Sequence, residues 1–275
     1  MIDSIKKVPL LSAAAAIGTA LIFLRMFRTY DIMAAAFLRF SLAAFMAGSL
    51  YLISGRKTFE KCFRQTEYAV TILSPILIYA ILLSLARFYL YYSTSGGNLA
   101  EGWPVKLALC LILMMSVGLF EELMCRAVLC DAFIYQFRNY KGVFVLTGIA
   151  VSFIFGFLHV AGSPVSNPLM LAQAVLKTVS TGILGFSLLM IYWKTRDAVG
   201  CAVVHALYDF LLIGPAALFG DLNLENFGGY VLEGSAGKSV VVVLCVDMMI
   251  ELVLMALIWR KVMGTIDFEE MRRDW

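Results

Sequence analysis

Charge is scarce in this sequence. Of its 275 residues only 15% are Asp, Glu, Lys or Arg, against about 25% in soluble domains. The apolar share is 61%, above the roughly 45 to 50% of soluble chains, which excludes a water-soluble globule: a fold of this size cannot hide that much apolar surface from water. Histidine occurs only twice. No block of Lys and Arg interleaved with aromatics is present, and the net charge of +3 is spread over short loops, so nucleic acid is excluded as a partner. The six cysteines contain no CxxC pair, and HExxH is missing, which removes the usual sequence signatures of a zinc site. All of these cysteines except Cys62 lie in or beside apolar runs and read as small buried hydrophobes. Repeats and low-complexity tracts are also absent.

What the chain has in abundance is long apolar runs. Eight stand out, at about 8–27, 32–53, 68–92, 105–129, 143–160, 169–193, 198–219 and 239–259, each close to the roughly 20 residues that cross a bilayer as a helix. Between them lie segments rich in Gly, Pro, Asn, Ser or charge, such as STSGGNLAEGWP and AGSPVSNP. The expected fold is all-α and polytopic, a single integral membrane domain over 1–275. The first run follows Lys6 and Lys7 as a signal peptide would, but it continues beyond about 15 apolar residues into further spans and reads as a retained first helix.

With both termini on one side, the terminal segments and the loops after runs two, four and six carry fourteen basic residues: Lys6, Lys7, Arg56, Lys57, Lys61, Arg64, Arg138, Lys141, Lys194, Arg196, Arg260, Lys261, Arg272 and Arg273. The other side carries Arg25, Arg28, Lys106 and Lys238. The asymmetry places both ends in the cytoplasm and supports an even number of spans.

An ionisable residue inside a span costs about 2.5 to 3.5 kcal/mol on insertion scales and is a candidate functional residue by default. Arg39, Arg87 and Lys177 stand singly on their runs and read first as snorkelling or packing residues. Asp247 and Glu251 share a helical face on the last run, as a structural patch or a cavity lining. The fourth run is denser, with Glu121, Glu122 and Arg126 in LFEELMCRAVL. Glu122 and Arg126, four apart, are placed to neutralise each other. Glu121 then remains beside a like charge, a setting suited to proton transfer. Both histidines, His159 and His205, also fall in apolar runs, and Asp209 follows His205 by four residues, so that the two project from one face. Phe155 stands in the same relation to His159 and is placed to wall the ring off from lipid.

Such a set of carboxylates and imidazoles suits a metal site, an acid/base site that activates water, or a proton or ion relay in a transporter or immunity protein. The relay reading is weakened because the first three runs carry no counterpart of the charged motifs, whereas transporter folds repeat theirs.

The residues also fall into three motifs: E-E-x-x-x-R at Glu121, Glu122 and Arg126, F-x-x-x-H at Phe155 and His159, and H-x-x-x-[ND] at His205 and Asp209. In this order, on three separate spans, they resemble the CPBP family of intramembrane proteases, which includes the type II CAAX prenyl endopeptidases. The resemblance covers roughly 105–219, the expected catalytic core. It implies an eight-helix fold around an interior polar cavity open to cytosol and lipid, and a glutamate-dependent endopeptidase acting on a peptide or protein substrate, in CAAX-type or peptide and bacteriocin processing. No cofactor is implied, although a metal-dependent protease of the same architecture stays open. Carried over by position, Glu121 is the general base, His159 its partner on the water, His205 and Asp209 hold the scissile carbonyl, and Arg126 fixes Glu122. Ala127 stands where family members often have Gly, and Asp209 stands where the prenyl endopeptidases carry Asn. An anionic Asp repels an oxyanion, so Asp209 is expected to orient His205, leaving the imidazole as the donor.

Short loops and the ending EEMRRDW, without a retention signal, lead us to expect a bacterial plasma membrane. The orientation is checked by thiol labelling from outside. A cysteine engineered beside Glu225 is expected to react, and cysteines beside Arg56 and Arg272 are expected to be spared; the reverse pattern contradicts the topology.

Overall fold

The computed structural model describes residues 8–54, 60, 62–220, 222, 231–269 and 271. Lys6, Lys7, Arg56, Lys57, Lys61, Glu225, Arg272 and Arg273 lie outside the described residues. Among the described residues the regular structure is helical, without strands. The helices are α1 (Pro9–Met26), α2 (Ile32–Ser54), α3 (Thr66–Thr94), α4 (Trp103–Glu122), a π-helical stretch (Leu123–Leu129), α5 (Cys130–Phe137), α6 (Val143–Leu158), α7 (Pro168–Thr195), α8 (Ala198–Phe219) and α9 (Gly234–Val262).

Seven of these segments are long and apolar enough to cross a membrane, with 103–137 counted as one. The protein is thus an all-α, multi-pass membrane protein. The fifth expected span, α6, has 16 residues and rises about 24 Å, short of the roughly 30 Å of a hydrocarbon core. It is cut short by the Gly162, Ser163 and Pro164 that soon follow it. The fourth span departs the other way, running as one helical rod of 35 residues. Asp131 does not end it. This carboxylate is fully buried and takes two hydrogen bonds from Arg196, Nη1 to Oδ1 at 2.8 Å and Nη2 to Oδ2 at 3.0 Å, so its charge is compensated inside the helix.

The chain divides into two compact units, residues 1–136 with 195–225, and residues 137–194 with 226–275. In the first, α4 is central. It packs on α8 and α2, while α3 packs on α8 and α1 on α2. The hydrocarbon-facing surface is apolar, as the exposed Phe37, Leu82 and Tyr89 show, because lipid tails give no reason to hide such side chains. Small residues set the closest approach. A Cβ on Gly118 of α4 would lie 2.7 Å from the Ala202 carbonyl oxygen and 3.0 Å from the Ala206 nitrogen of α8, so only glycine permits this crossing. Asp197 fixes the start of α8. Its carboxylate accepts from the Gly200 amide at 2.8 Å as a helix cap and from the amides of Phe63 and Gln65, each at 3.1 Å, ahead of α3. Burial and the Asp197 charge push the nearby Cys62 thiol up to about 11, which keeps it protonated and unreactive at neutral pH. Arg87 on α3, solitary in the sequence, donates to the Leu212 carbonyl of α8 at 2.8 Å, three residues before Pro215.

The second unit holds α6, α7 and α9. Here Gly156 of α6 lies so close to α7 that a Cβ would meet the Thr178 carbonyl oxygen. Glu251 of α9 accepts a 2.6 Å hydrogen bond from the Ser180 hydroxyl of α7, with both groups buried, and Lys177 and Asp247 add their charges around it. This supports the structural reading of the Asp247 and Glu251 pair.

The crossing at Gly118 carries a testable consequence. Gly118→Ala should destabilise the protein by about 1 to 3 kcal/mol, the usual cost of overpacking. Gly48→Ala serves as the control, since its Cβ would meet nothing within 4 Å. Thermal unfolding of the two purified variants makes the comparison; equal midpoints contradict the crossing.

Candidate active site

The fourth span supplies the first part of the site. After Glu122 the helix widens into seven π-helical residues, and the Cys130 amide reaches the Cys125 carbonyl five residues back. Such widened turns recur at functional sites. Composition gives no warning of this one, because an extra residue in a turn leaves no sequence mark. The stretch turns Arg126 onto Glu122, with Nε 3.1 Å from Oε2 and neither side chain exposed. The pair expected from the spacing is therefore present.

The α8 helix supplies the second part. The Gly118 crossing lies one turn before Glu121 and Glu122, and Ala206 of that crossing is the neighbour of His205. The ring of His205 consequently meets the carboxylates of α4. Its Nδ1 lies 2.9 Å from Glu122 Oε1, so the Glu122 carboxylate serves Arg126 through one oxygen and His205 through the other. On the opposite edge of the ring, Nε2 is 3.4 Å from Asp209 Oδ2 and 3.9 Å from Glu121 Oε2. The contact that orients the ring at hydrogen-bonding distance thus comes from Glu122 on another helix. Asp209, expected in that role from its spacing, meets the other edge of the ring, 3.4 Å from Nε2.

Burial grades across the cluster. Glu122 and Arg126 are sealed and His205 is 3% exposed, whereas Glu121 and Asp209 are 23% and 24% exposed. The sealed members form the base of the cluster, and the partly exposed Glu121 and Asp209 form its outer side. Arg39 of α2, singled out in the sequence only as a solitary cation, acts electrostatically on Glu121 while donating to its own Ala35 carbonyl at 3.1 Å. Arg126 and Arg39 are thus the two guanidinium groups beside the carboxylates of this cluster. Its sign and its place inside a span were the only sequence signals for Arg39.

His159 belongs to the second unit, where it caps the C-terminal end of α6. Its amide turns to the Gly156 carbonyl at 3.3 Å, and the Phe155 carbonyl, which that amide would have met in a continued helix, is taken by the imidazole Nδ1 at 2.9 Å. A carbonyl only accepts, so Nδ1 carries the proton and the neutral ring has its lone pair on Nε2. The Phe155 ring, 1% exposed, stands edge-on to the imidazole at 4.7 Å and 64°, the shielding position that the four-residue spacing predicts.

Among the described residues, no group of three His, Cys, Asp or Glu side chains is placed to hold a metal ion. The groups that the first unit brings together, carboxylates around the His205 imidazole, are of the kind that exchange protons.

Residues 102–211 match the family model described as Type II CAAX prenyl endopeptidase Rce1-like. The matched segment is less than half of the chain, yet it contains Glu121, Glu122, Arg126, His159, His205 and Asp209. Neither the curated proteins nor the solved structures yield a match. Over residues 102–211 the chain is thus similar to the CAAX-type membrane proteases that its three motifs resemble.

Removing Arg126 leaves Glu122 buried without its guanidinium, and breaking a buried pair costs about 3 to 5 kcal/mol. Arg126→Ala is expected to lower the unfolding midpoint sharply, and the double change Glu122→Gln with Arg126→Met to recover part of the loss. A single variant that melts with the wild type contradicts the pairing.

Proposed function

We propose that this protein is a glutamate-dependent intramembrane endopeptidase that hydrolyses a peptide bond near the C-terminus of a CAAX-type substrate, in the plasma membrane and with both termini in the cytoplasm. The observation that carries the reading is the graded cluster in the segment matched by the family: a sealed Glu122 and Arg126 base, His205 held on that base, and Glu121 and Asp209 on its outer side.

In this reaction the Glu121 carboxylate takes a proton from water, and the motif resemblance assigns His159 the part of its partner. The hydroxide attacks the scissile carbonyl carbon. The carbonyl π electrons move onto oxygen, and His205, when protonated on both nitrogens, donates from Nε2 to that oxyanion while Nδ1–H stays on Glu122. Such a donor is worth about 2.7 to 4 kcal/mol in comparable sites. The proton held by Glu121 then passes to the leaving amine nitrogen as the carbon–nitrogen bond breaks. Asp209 borders Nε2 and limits where the ring swings. Arg126 acts through Glu122 and touches no reacting atom.

The reading is tested with a peptide-cleavage screen that includes prenylated and unprenylated C-terminal peptides. Glu121→Gln keeps the shape but cannot accept the proton, and is expected to lower turnover by about 10² to 10⁴ in a variant that melts like the wild type. Near-normal turnover by the folded variant contradicts the mechanism. Activity is expected to survive chelation; one zinc per chain, lost and restored together with activity, transfers the site to the metal-dependent reading.

A further inference from the structure

An open groove of about 690 Å³ runs between α6, α7 and α9 of the second unit, within the range of roughly 300 to 1,000 Å³ that holds small ligands. Its walls are apolar, from Val145 and Ile149 on α6 to Ile183 and Phe186 on α7, and among the described lining residues the one charged side chain is Lys141. Among the described lining residues there is no carboxylate or imidazole, and the lining is that of an apolar binding groove.

One end of the groove is identified by aromatic contacts. The start of α6, the end of α7 and the segment after α9 meet where Phe144 contacts Trp193 at 5.8 Å and Phe268 at 4.7 Å. Lys194 donates to the Thr265 carbonyl at the same end, at 2.6 Å. Tryptophans at such an end mark the membrane–water interface. The exposed charges that this unit gathers there are Arg138, Lys141, Lys194, Arg260 and Lys261, with Asp267 and Glu269 opposing them, so the balance among the described residues is positive. From this end the lining extends from Phe144 to Phe153 on α6 and from Trp193 back to Thr178 on α7. At 1.5 Å per residue that is roughly 14 and 22 Å, so the α6 wall spans about one leaflet and the α7 wall about three quarters of a 30 Å hydrocarbon core.

We propose that this groove is a specific site for an anionic phospholipid, with one acyl chain lying between α6 and α7 and the headgroup phosphate on Lys141. The groove is at least one leaflet deep, its walls match a hydrocarbon chain, and the basic rim matches a negative headgroup.

The test is native mass spectrometry of the purified full chain carrying phosphatidylglycerol or phosphatidylcholine with identical acyl chains. Wild type is expected to retain phosphatidylglycerol several-fold better through delipidation. Lys141→Glu, at an exposed position, is expected to abolish that preference. Ile149→Trp, which fills the groove from a side chain that is 68% exposed, is expected to lower retention of both lipids alike. Equal retention of the two lipids by the wild type, an undiminished preference in Lys141→Glu, or displacement of the lipid by an equal concentration of farnesyl-cysteine methyl ester would each overturn the assignment. Peptide cleavage by Ile149→Trp is read in parallel, and wild-type turnover with lost lipid separates this site from the proposed active site.

Discussion

The first unit depends on one carboxylate, that of Glu122. A negative charge with no exposure inside a membrane protein survives only if each oxygen is met, and here one faces Arg126 and the other His205. That double duty links the two ends of the matched segment, because Arg126 sits a turn later on the same rod while His205 comes from α8. Replacing either partner strands a charge, so the same contact that holds the helices together also sets the imidazole edge on which Asp209 and Glu121 border. Stability and the proposed chemistry are consequently coupled through one group, and variants at Glu122 or Arg126 are poor probes of catalysis. Glu121 is the better probe, being partly exposed and outside the sealed pair.

Two backbone features make the Glu122 contact possible. Gly118 brings α4 to α8 at a distance that no other residue permits, and the π-helical stretch after Glu122 presents Arg126 to the same carboxylate. Both are local departures from an ordinary helix, and both lie within two turns of the glutamates. Asp197 and the Asp131 to Arg196 pair hold the start of α8, which keeps His205 from sliding along α4. The α6 helix uses its end differently. By stopping at Leu158 it releases the Phe155 carbonyl to the His159 ring and so selects a tautomer with its lone pair on Nε2.

Much of this was readable in the sequence because it follows from local spacing. Runs of apolar residues located the helices to within a few residues, and intervals of four gave the Glu122 to Arg126 pair and the shielding of His159 by Phe155. The fourth span ran longer than its apolar run because Asp131 is neutralised by Arg196, 65 residues away, and no local pattern carries that information. The same reason explains the partner of His205. Spacing pointed to Asp209 on its own helix, whereas the shorter contact is made by Glu122 on another, through a glycine crossing that hydropathy does not register. Arg39 was visible as a misplaced charge but not as a neighbour of Glu121, since α2 lies outside the motif-bearing segment.

The central proposal is that Glu121 and His159 work as one catalytic unit, and a double-mutant cycle on turnover tests it most directly. Glu121→Gln, His159→Ala and the double variant are compared in single-turnover cleavage of the same peptide, with folding verified by unfolding midpoint. Groups that work as a unit are strongly non-additive, so the double variant should be about as slow as the slower single one. Independent, multiplicative losses would contradict the account.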